Sequence, residues 1–311
     1  MGIGHGHGHG HGGLADGSTA AAAHRGRMVV VLVLTLGGMA VQVAGGLVSG
    51  SLALLADAGH MAADSFGIVL ALFAIWIAAR PFSPKRTFGF QRAEILAAAA
   101  NALLLFGLCG YIAYETVHRL ADPQPVAGPT MLAVALLGLA VNIAGLLVLR
   151  RGQSQSLNLR GAYLEVFSDM LSSLGVIVAA LLVWLTGWQQ ADSVVSLGIA
   201  AFIVPRAWSL LREAVHILLE ATPRDMDLDE VRSHLLAQPG VLDVHDLHAW
   251  TITSGVPVMS AHVVVEEERL GECGRMLDEL HACLSGHFDV EHSTLQLEPA
   301  GHASHEGARH H

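Results

Sequence analysis

Residues 51–79 read SLALLADAGHMAADSFGIVLALFAIWIAA, and this stretch decides the fold. It is mostly apolar and longer than the roughly 20 residues that an α-helix needs to cross the hydrocarbon core of a bilayer. It also contains Asp57, His60 and Asp64. An ionisable side chain at the bilayer centre costs about 2.5 to 3.5 kcal/mol on insertion scales, so such groups need partners or water. The stretch therefore predicts a transmembrane helix that carries a functional site.

Five further apolar segments accompany this one. They lie near Met28–Val48, Ala93–Val117, Thr130–Leu149, Ala162–Thr186 and Ser193–Leu211. The chain of 311 residues is 52% hydrophobic and 14% charged, with a mean hydropathy of +0.50. An ordinary soluble domain is about 25% charged. Composition and segment length together predict an all-α six-helix transmembrane bundle over residues 27–216.

The loops between the spans indicate the orientation, because cytoplasmic loops are rich in Lys and Arg. One side carries Arg25, Arg27, Arg80, Lys85, Arg86, Arg92, Arg150, Arg151, Arg160, Arg206 and Arg212. The opposite side carries only Arg119. We therefore expect an integral protein of the cell (inner) membrane with both termini in the cytosol.

A soluble segment follows span six and holds most of the acidic residues. Its pattern predicts a helix at Asp225–Gln238, strands at Val241–Thr253 and Val256–Glu266, a helix at Leu270–Gly286 and a strand at Val290–Glu298. An αββαβ order fits a small α+β cytosolic domain over residues 217–299, with helices packed on one face of a sheet. The net charge of −10 argues against nucleic acid as a partner.

Histidines mark both ends of the chain. They are His5, His7, His9 and His11 in a His/Gly-rich tail over residues 1–26, and His302, His305, His310 and His311 in a tail over residues 300–311. We expect the N-terminal tail to be disordered, and either to capture metal ions or to be only a polar extension. The three cysteines form no CxxC pair and imply no thiolate metal site.

Two pairs of ionisable residues recur inside the spans. His60 and Asp64 lie one helical turn apart in span two, and Glu165 and Asp169 repeat this spacing in span five. Spans two and five run antiparallel, so the two pairs can meet near the midplane and supply the four N or O ligands of a tetrahedral metal site. The alternative is that the residues hydrogen-bond to one another and hold the helices together.

Other polar residues in the spans leave their roles open. Asp57 is either a ligand of an outer vestibule or an interfacial carboxylate at the helix end. Gln42, Asn101 and Asn142 are single amides that form packing bonds or line a cavity.

Several motifs together resemble the cation diffusion facilitator family, particularly its bacterial zinc, cobalt and cadmium exporters. They are Ser51–Asp64, Arg86-Thr-Phe-Gly-Phe90, Val244-His-Asp-Leu-His-Ala-Trp250, Ser260-Ala-His262 and His292-Ser-Thr-Leu-Gln-Leu-Glu298. The resemblance spans nearly the whole chain. It implies a homodimeric, proton-coupled metal exporter with a six-span bundle and a ferredoxin-like cytosolic domain.

The chain departs from the family pattern at two positions. Family members usually place His or Asp where this chain has Glu165, so the transport site is expected to be His60, Asp64, Glu165 and Asp169. Three carboxylates and a neutral imidazole around a divalent ion leave the site one unit negative. Gln91 stands where zinc-type relatives often have His, so a metal site in that loop is not expected.

The resemblance also implies a second set of ligands in the cytosolic domain. Strand parity places His292, Gln296 and Glu298 on one face, and His248 and His262 share parity on their own strands. His248, His262, His292 and Glu298 are therefore candidate regulatory ligands near a dimer interface. The alternative is that these histidines are only packed or hydrogen-bonded within the sheet.

These observations predict a proton-coupled antiporter that exports divalent transition-metal ions, zinc first, with cobalt and cadmium behind it. The expected partners are a second copy of the chain, lipid, metal ions and protons. No cofactor is expected beyond Zn²⁺ as substrate and regulatory ligand, and no enzymatic activity. One alternative is a membrane-embedded metal sensor or scaffold that does not transport. The other is an intramembrane metalloenzyme, although the chain lacks HExxH and four protein ligands leave no open coordination position.

Overall fold

The computed structural model of this chain describes residues 17–150, 157–290 and 292–302. Side chains in the first helix are described from Val29, and those in the fifth helix from Ala162. The tail histidines at positions 5, 7, 9, 11, 305, 310 and 311 lie outside the described residues, so their predicted role stays a prediction. His302 is described and is exposed.

Six long helices make up the first two thirds of the chain. They are α1 (Gly17–Ser49), α2 (Leu52–Ala78), α3 (Ala93–Ala121), α4 (Gly128–Leu149), α5 (Leu157–Thr186) and α6 (Gln190–Leu218). Each is long and apolar enough to cross a membrane. The predicted six-helix transmembrane fold is confirmed, and the chain is an integral membrane protein.

The helices run past the predicted ends of several spans. The prediction ended span six at Leu211, whereas α6 continues through Arg212 and Glu213 to Leu218. Helical hydrogen bonding does not require apolar side chains, so a helix continues into water where hydropathy has already fallen. Hydropathy therefore marks the part of a helix inside lipid, not the whole helix.

Two compact units divide the described chain. One comprises the described residues up to Ser65 and those within Leu105–Pro205, and the other comprises Phe66–Leu104 and the described residues from Arg206 onward. In the first unit, α1, α4 and α5 pack closely through glycines. A Cβ at Gly45 would lie 2.5 Å from a methyl carbon of Val134, and one at Gly145 would lie 3.2 Å from Val166. Small residues of this kind allow membrane helices to approach closely.

The start of α2 is held by a carboxylate from α6. Asp192 Oδ1 accepts hydrogen bonds from Ser51 Oγ at 2.6 Å and from the backbone N–H of Ala53 at 3.2 Å. Its Oδ2 accepts from the backbone N–H of Leu52 at 2.6 Å. A helix leaves its first N–H groups without intrahelical acceptors, and a buried carboxylate satisfies them well. This cap fixes the start of the helix that carries His60 and Asp64.

The cytosolic part has the predicted αββαβ order. Its elements are α7 (Leu228–Leu236), β1 (Val241–Thr251), β2 (Pro257–Val265), α8 (Cys273–Phe288) and β3 (His292–Pro299), with a 3₁₀ turn at Glu267–Glu272. The strand order is β1-β2-β3, with β1 antiparallel and β3 parallel to β2. Leu235, Met259 and Leu280 are fully buried between the helices and one sheet face, which leaves the other face open for polar residues.

An irregularity in β1 changes which residues face each other. His245 pairs with His262, but His248 pairs with Ser260, so β1 has one residue more than β2 between these pairs. Asp246 lies in this segment with a φ of 46°, in the left-handed region. This is the geometry of a β-bulge. As a result, His245 and His248 lie on the same sheet face although three positions separate them.

Candidate metal sites

His60 on α2 lies close to two carboxylates inside the membrane-spanning part of the chain. Its Nε2 atom is 3.5 Å from Asp64 Oδ2, one turn along the same helix. The same nitrogen is 4.0 Å from Asp169 Oδ1 on α5. The side chains of His60 and Asp169 are each 5% exposed, and that of Asp64 is 12% exposed. The structure thus brings together three of the four predicted ligands, namely the imidazole of His60 and the carboxylates of Asp64 and Asp169.

These distances are those of ligands that share an ion. Zinc binds N and O ligands at about 2.0 to 2.2 Å, so two ligand atoms of a tetrahedral site lie about 3.4 Å apart. The separation of 3.5 Å between His60 and Asp64 already fits this value. The separation of 4.0 Å to Asp169 closes by about half an ångström on binding, within the reach of a carboxylate rotation.

Glu165, the fourth predicted ligand, lies one turn before Asp169 on α5 and is partly buried. Residues four apart on a helix project from the same face, so Glu165 and Asp169 share the side of α5. The assignment of the four residues as metal ligands stays a prediction.

The structure shows the contacts of Asp57, for which the sequence left two roles open, a ligand of an outer vestibule or an interfacial carboxylate at the helix end. Its side chain is fully buried, and its Oδ2 accepts a hydrogen bond of 2.8 Å from Nε2 of Gln42 on α1. Asn142 on α4 donates to Ser173 Oγ on α5 at 3.2 Å, and both residues are buried. Gln42 and Asn142 therefore form hydrogen bonds between helices.

A second cluster lies on the open face of the cytosolic sheet. His262 Nδ1 is 2.7 Å from Glu298 Oε1, and His245 Nε2 is 3.4 Å from Glu298 Oε2. One ligand atom from each of the three residues lies within 4.8 Å of the other two. His245 and Glu298 are each 2% exposed at the side chain, and His262 is 30% exposed. Two imidazoles and a carboxylate form a ligand set suited to zinc. The 3.4 Å separation of His245 and Glu298 already fits a shared ion, whereas the 2.7 Å contact of His262 and Glu298 is a hydrogen-bond distance that would lengthen on binding.

The neighbours of this cluster orient its ligands. Asp246 Oδ2 is 3.1 Å from His245 Nδ1, which turns the Nε2 atom of that ring toward Glu298. Gln296 Nε2 donates to Glu298 Oε1 at 2.7 Å. Metal-binding histidines commonly use their second ring nitrogen in such a contact with a carboxylate. The residues present therefore fit a zinc ion.

The structure separates the cytosolic residues chosen from the sequence. His262 and Glu298 meet, whereas His292 lies six residues before Glu298 on β3, with its ring 5.5 Å from that of Phe88. His248 pairs with Ser260 and borders a cavity of about 310 Å³.

His245 is the residue that strand parity missed. In a regular strand, positions 245 and 248 face opposite sides, so choosing His248 left His245 on the wrong face. The available signal was Asp246, since Asp is unfavourable inside a strand but tolerates the left-handed backbone of a bulge.

The chain is similar over most of its length to known cation efflux proteins. The family model described as the cation efflux transmembrane domain matches residues 28–219, and that described as the cation efflux protein cytoplasmic domain matches residues 223–300. The metal cation efflux system protein CzcD of Cupriavidus metallidurans is 45% identical over 281 residues, covering 90% of this chain and 89% of the relative. The zinc transporter ZitB of Escherichia coli is 38% identical over 274 residues, covering 88% and 87%.

Two further similarities differ in the share of the chain that they cover. A cadmium, cobalt and zinc/H(+)-K(+) antiporter of Bacillus subtilis is 36% identical over 283 residues, covering 90% of this chain and 91% of the relative. A solved structure described as the metal-bound C-terminal domain of the CzcD transporter of Cupriavidus metallidurans is 42% identical, covering 24% of this chain and 99% of that chain, with a TM-score of 0.22.

Proposed function

The chain belongs to the cation diffusion facilitator family of metal cation exporters, and from that membership we propose that it exports divalent transition-metal ions from the cytosol in exchange for protons. Zinc is the first substrate, with cobalt and cadmium behind it. The name of the antiporter from Bacillus subtilis includes these three metals and a proton. The Irving–Williams order also places zinc above manganese and iron for ligands of this kind.

One observation carries the proposal: His60 Nε2 lies between Asp64 and Asp169 inside apolar helices. Buried charges of this kind are expensive unless they are paired or bind an ion. A divalent cation satisfies both carboxylates and the imidazole at once. Glu165, on the same side of α5 as Asp169, supplies the fourth ligand.

Exchange for protons follows from the chemistry of the ligands. A metal ion binds deprotonated carboxylates and a neutral imidazole, so arrival of the ion releases protons from the site. Histidine changes its charge near physiological pH, so the reverse step is accessible when the site opens to the outer side. Protons that return to His60 and a carboxylate then weaken ion binding and release the ion.

The orientation that fits this direction of transport has both termini in the cytosol, in the cell (inner) membrane. The excess of Lys and Arg on one side of the spans supports it. The relatives whose names describe efflux and zinc transport also cover most of this chain.

The cytosolic domain binds a regulatory divalent ion at His245, His262 and Glu298 and pairs with the same domain of a second copy. The match to the family's cytoplasmic domain supports dimerisation. An ion bound there would link β1, β2 and β3 across the open sheet face. Dimerisation and ion binding together would favour one state of a two-state transport cycle.

The two alternative functions make different demands on the site. A metalloenzyme needs an open coordination position for water, which a four-ligand set does not provide. A sensor or scaffold would bind metal at the cytosolic cluster without moving ions across the membrane. A sensor or scaffold of this kind does not need the two pairs of ligands on α2 and α5.

Transport by the purified protein tests the proposal directly. The full chain is reconstituted into vesicles, and uptake of labelled zinc is measured with and without a pH gradient. We expect zinc to accumulate against its gradient when protons move in the opposite direction. Binding of zinc without any flux would leave a sensor, and no metal-dependent flux under any gradient would overturn the proposal.

A further inference from the structure

Asp57 and Gln42 form a buried pair that the metal site does not use. Asp57 is 0% exposed and Gln42 is 2% exposed. Gln42 Nε2 donates to Asp57 Oδ2 at 2.8 Å. Within the described part of the chain, the other oxygens of the pair, Asp57 Oδ1 and Gln42 Oε1, have no hydrogen-bond partner. The pair thus has two buried oxygen atoms that need a hydrogen-bond donor, and with Asp57 ionised it has no donor left for them.

Asp192 shows how this chain satisfies both oxygens of another buried carboxyl group. It is 1% exposed, accepts hydrogen bonds from Ser51 Oγ and from the backbone N–H groups of Leu52 and Ala53, and lies 3.9 Å from a guanidinium nitrogen of Arg119. Both of its oxygens are occupied. Asp57 is buried as deeply with a single amide donor, and a buried charge with so little compensation is very costly.

A proton on Oδ1 of Asp57 resolves this difference. The carboxyl is then neutral, and Oδ1–H is a donor for the one acceptor that Gln42 has left, its Oε1 atom. A protonated acid and an amide that are already joined by one hydrogen bond can form a second one through the acid proton, and no acceptor of the pair is then left without a donor. Because an unsatisfied buried acceptor is costly, the neutral pair is favoured both by the removal of a buried charge and by the additional hydrogen bond.

The space around Gln42 favours a proton over a second metal ion. A Cβ at Gly138 on α4 would lie 2.8 Å from Gln42 Nε2, so the amide rests directly on the backbone of that helix. Gln42, Asp57, Asn142 and Ser173 are all at most 3% exposed. A hydrated cation needs volume that these close contacts do not offer, whereas a proton needs none.

The pair borders both helices that carry the metal ligands. Asp57 lies one turn before His60 on α2. On α5, Ser173 lies one turn after Asp169, and its Oγ is 3.8 Å from the Cβ position of Gly138, against which Gln42 also rests. In the proposed orientation both steps lead from the ligands toward the outer side. We propose that Asp57 is the outer proton relay of the transporter: a neutral acid, paired with Gln42, that passes its proton to the emptied metal site.

The charged groups around Asp57 are compatible with this role. The side chains of α1 that the structure describes, from Val29 onward, and those of α4 include no titratable group, and their amides are Gln42 and Asn142. Along α2 and α5 the adjacent titratable groups belong to the proposed ligand set. At the outer ends of α3 and α6, Arg119 pairs with Glu115 and donates to the Gly50 carbonyl, and Asp192 caps α2.

The relay step rests on the proposed exchange of metal for protons and moves one proton at a time. The Oδ1–H bond of Asp57 breaks, the proton binds to a deprotonated ligand as the ion leaves, and the remaining carboxylate takes a proton from the outer water. Gln42 keeps its N–H donor on Oδ2 throughout and so holds the carboxylate in place.

Asp57→Asn tests the relay without disturbing the pair. The amide Nδ2–H of asparagine donates to Gln42 Oε1 as the protonated acid does, but it cannot give up its proton. We expect the reconstituted full-length variant to keep zinc binding and exchange of labelled for unlabelled zinc, which needs no net proton movement. Zinc flux driven by a pH gradient should fall by about a hundredfold, as for loss of a positioned proton-transfer group. Asp57→Glu should restore part of it.

Asp192→Asn is the matched control. Asp192 is a buried carboxylate at the same end of the bundle, and it caps the start of α2. Its replacement should therefore lower thermal stability and leave the response to the pH gradient unchanged. Infrared difference spectra of wild type should contain a protonated carboxyl band that is missing in Asp57→Asn, which tests the inference even if flux assays are prevented by misfolding.

The outcomes separate the relay from the function on which it rests. If wild type transports zinc and Asp57→Asn keeps its full response to the pH gradient, the relay is wrong and the exporter stands. An ionised Asp57 in the spectra also overturns the relay. If wild type moves no zinc, the proposed function itself fails.

Discussion

Replacement of Asp169 by asparagine tests the contact between α2 and α5 that completes the proposed metal site. Asp169 Oδ1 lies 4.0 Å from His60 Nε2, and the side chain is 5% exposed. Asparagine keeps the volume and one carbonyl oxygen but removes the charge. The helices should therefore still pack, while the ion loses one of its four ligands as a charged donor.

The expected loss can be estimated from zinc sites of known strength. Structural zinc sites with four ligands bind with about 10 to 16 kcal/mol near neutral pH, or about 2.5 to 4 kcal/mol for each ligand. Because each 1.4 kcal/mol is a factor of ten, zinc affinity should fall by about two to three orders of magnitude. The burial of Asp169 places the change at the upper end, since water screens the missing charge poorly there.

The assay compares zinc affinity by competition with a chelating dye and zinc flux in vesicles, each for Asp169→Asn, wild type and Asp192→Asn. Asp192 is equally buried but binds the start of α2, so its variant should lose stability and keep its affinity. Near-normal affinity and flux in a well-folded Asp169→Asn protein would show that Asp169 is not a ligand and that the 4.0 Å contact is only packing between helices.

Three further outcomes test the remaining parts of the proposal. His245→Ala should weaken zinc binding by the cytosolic domain of the full chain by about a hundredfold, and His248→Ala should not, as shown by isothermal titration; equal effects would refute the bulge-based site. Truncation after Ala221 should weaken dimerisation and lower flux at limiting zinc, and an equally dimeric truncated protein in detergent would contradict this. Glu165→His should tighten the binding of zinc relative to that of manganese and alter the pH profile of metal–proton exchange, because imidazole suits zinc and carboxylate suits harder ions. An unchanged preference for zinc over manganese together with an unchanged pH profile would exclude Glu165 from the site.

The sequence was sufficient for the transmembrane spans, for the paired residues within one helix and for the order of the cytosolic elements, all of which depend on near neighbours along the chain. Six spans follow from apolar runs because a bilayer forces each backbone N–H and C=O to pair within its own helix. The spacing of His60 and Asp64, and of Glu165 and Asp169, places each pair on one helical face wherever the helix lies. The αββαβ order of the cytosolic domain follows from local periodicity in the same way.

Contacts between elements were decided only by the tertiary structure. His60 reaches Asp169 because α2 and α5 approach each other, and no periodicity measures that distance. Asp57, for which the sequence left two roles open, is buried against Gln42 of α1, because the packing of α1 on α4 at Gly138 brings the amide to it.

The cytosolic ligand set shows the same limit. Parity along a strand holds only while the strand is regular, and the bulge at Asp246 turns His245 to the face that holds His262 and Glu298. One inserted residue inverts the facing of all later positions, because side chains alternate with a period of two. The sequence alone therefore specified which helices and strands form and which residue types carry the chemistry. The three-dimensional packing decided which of those residues meet, since a distance between elements is a property of the whole fold.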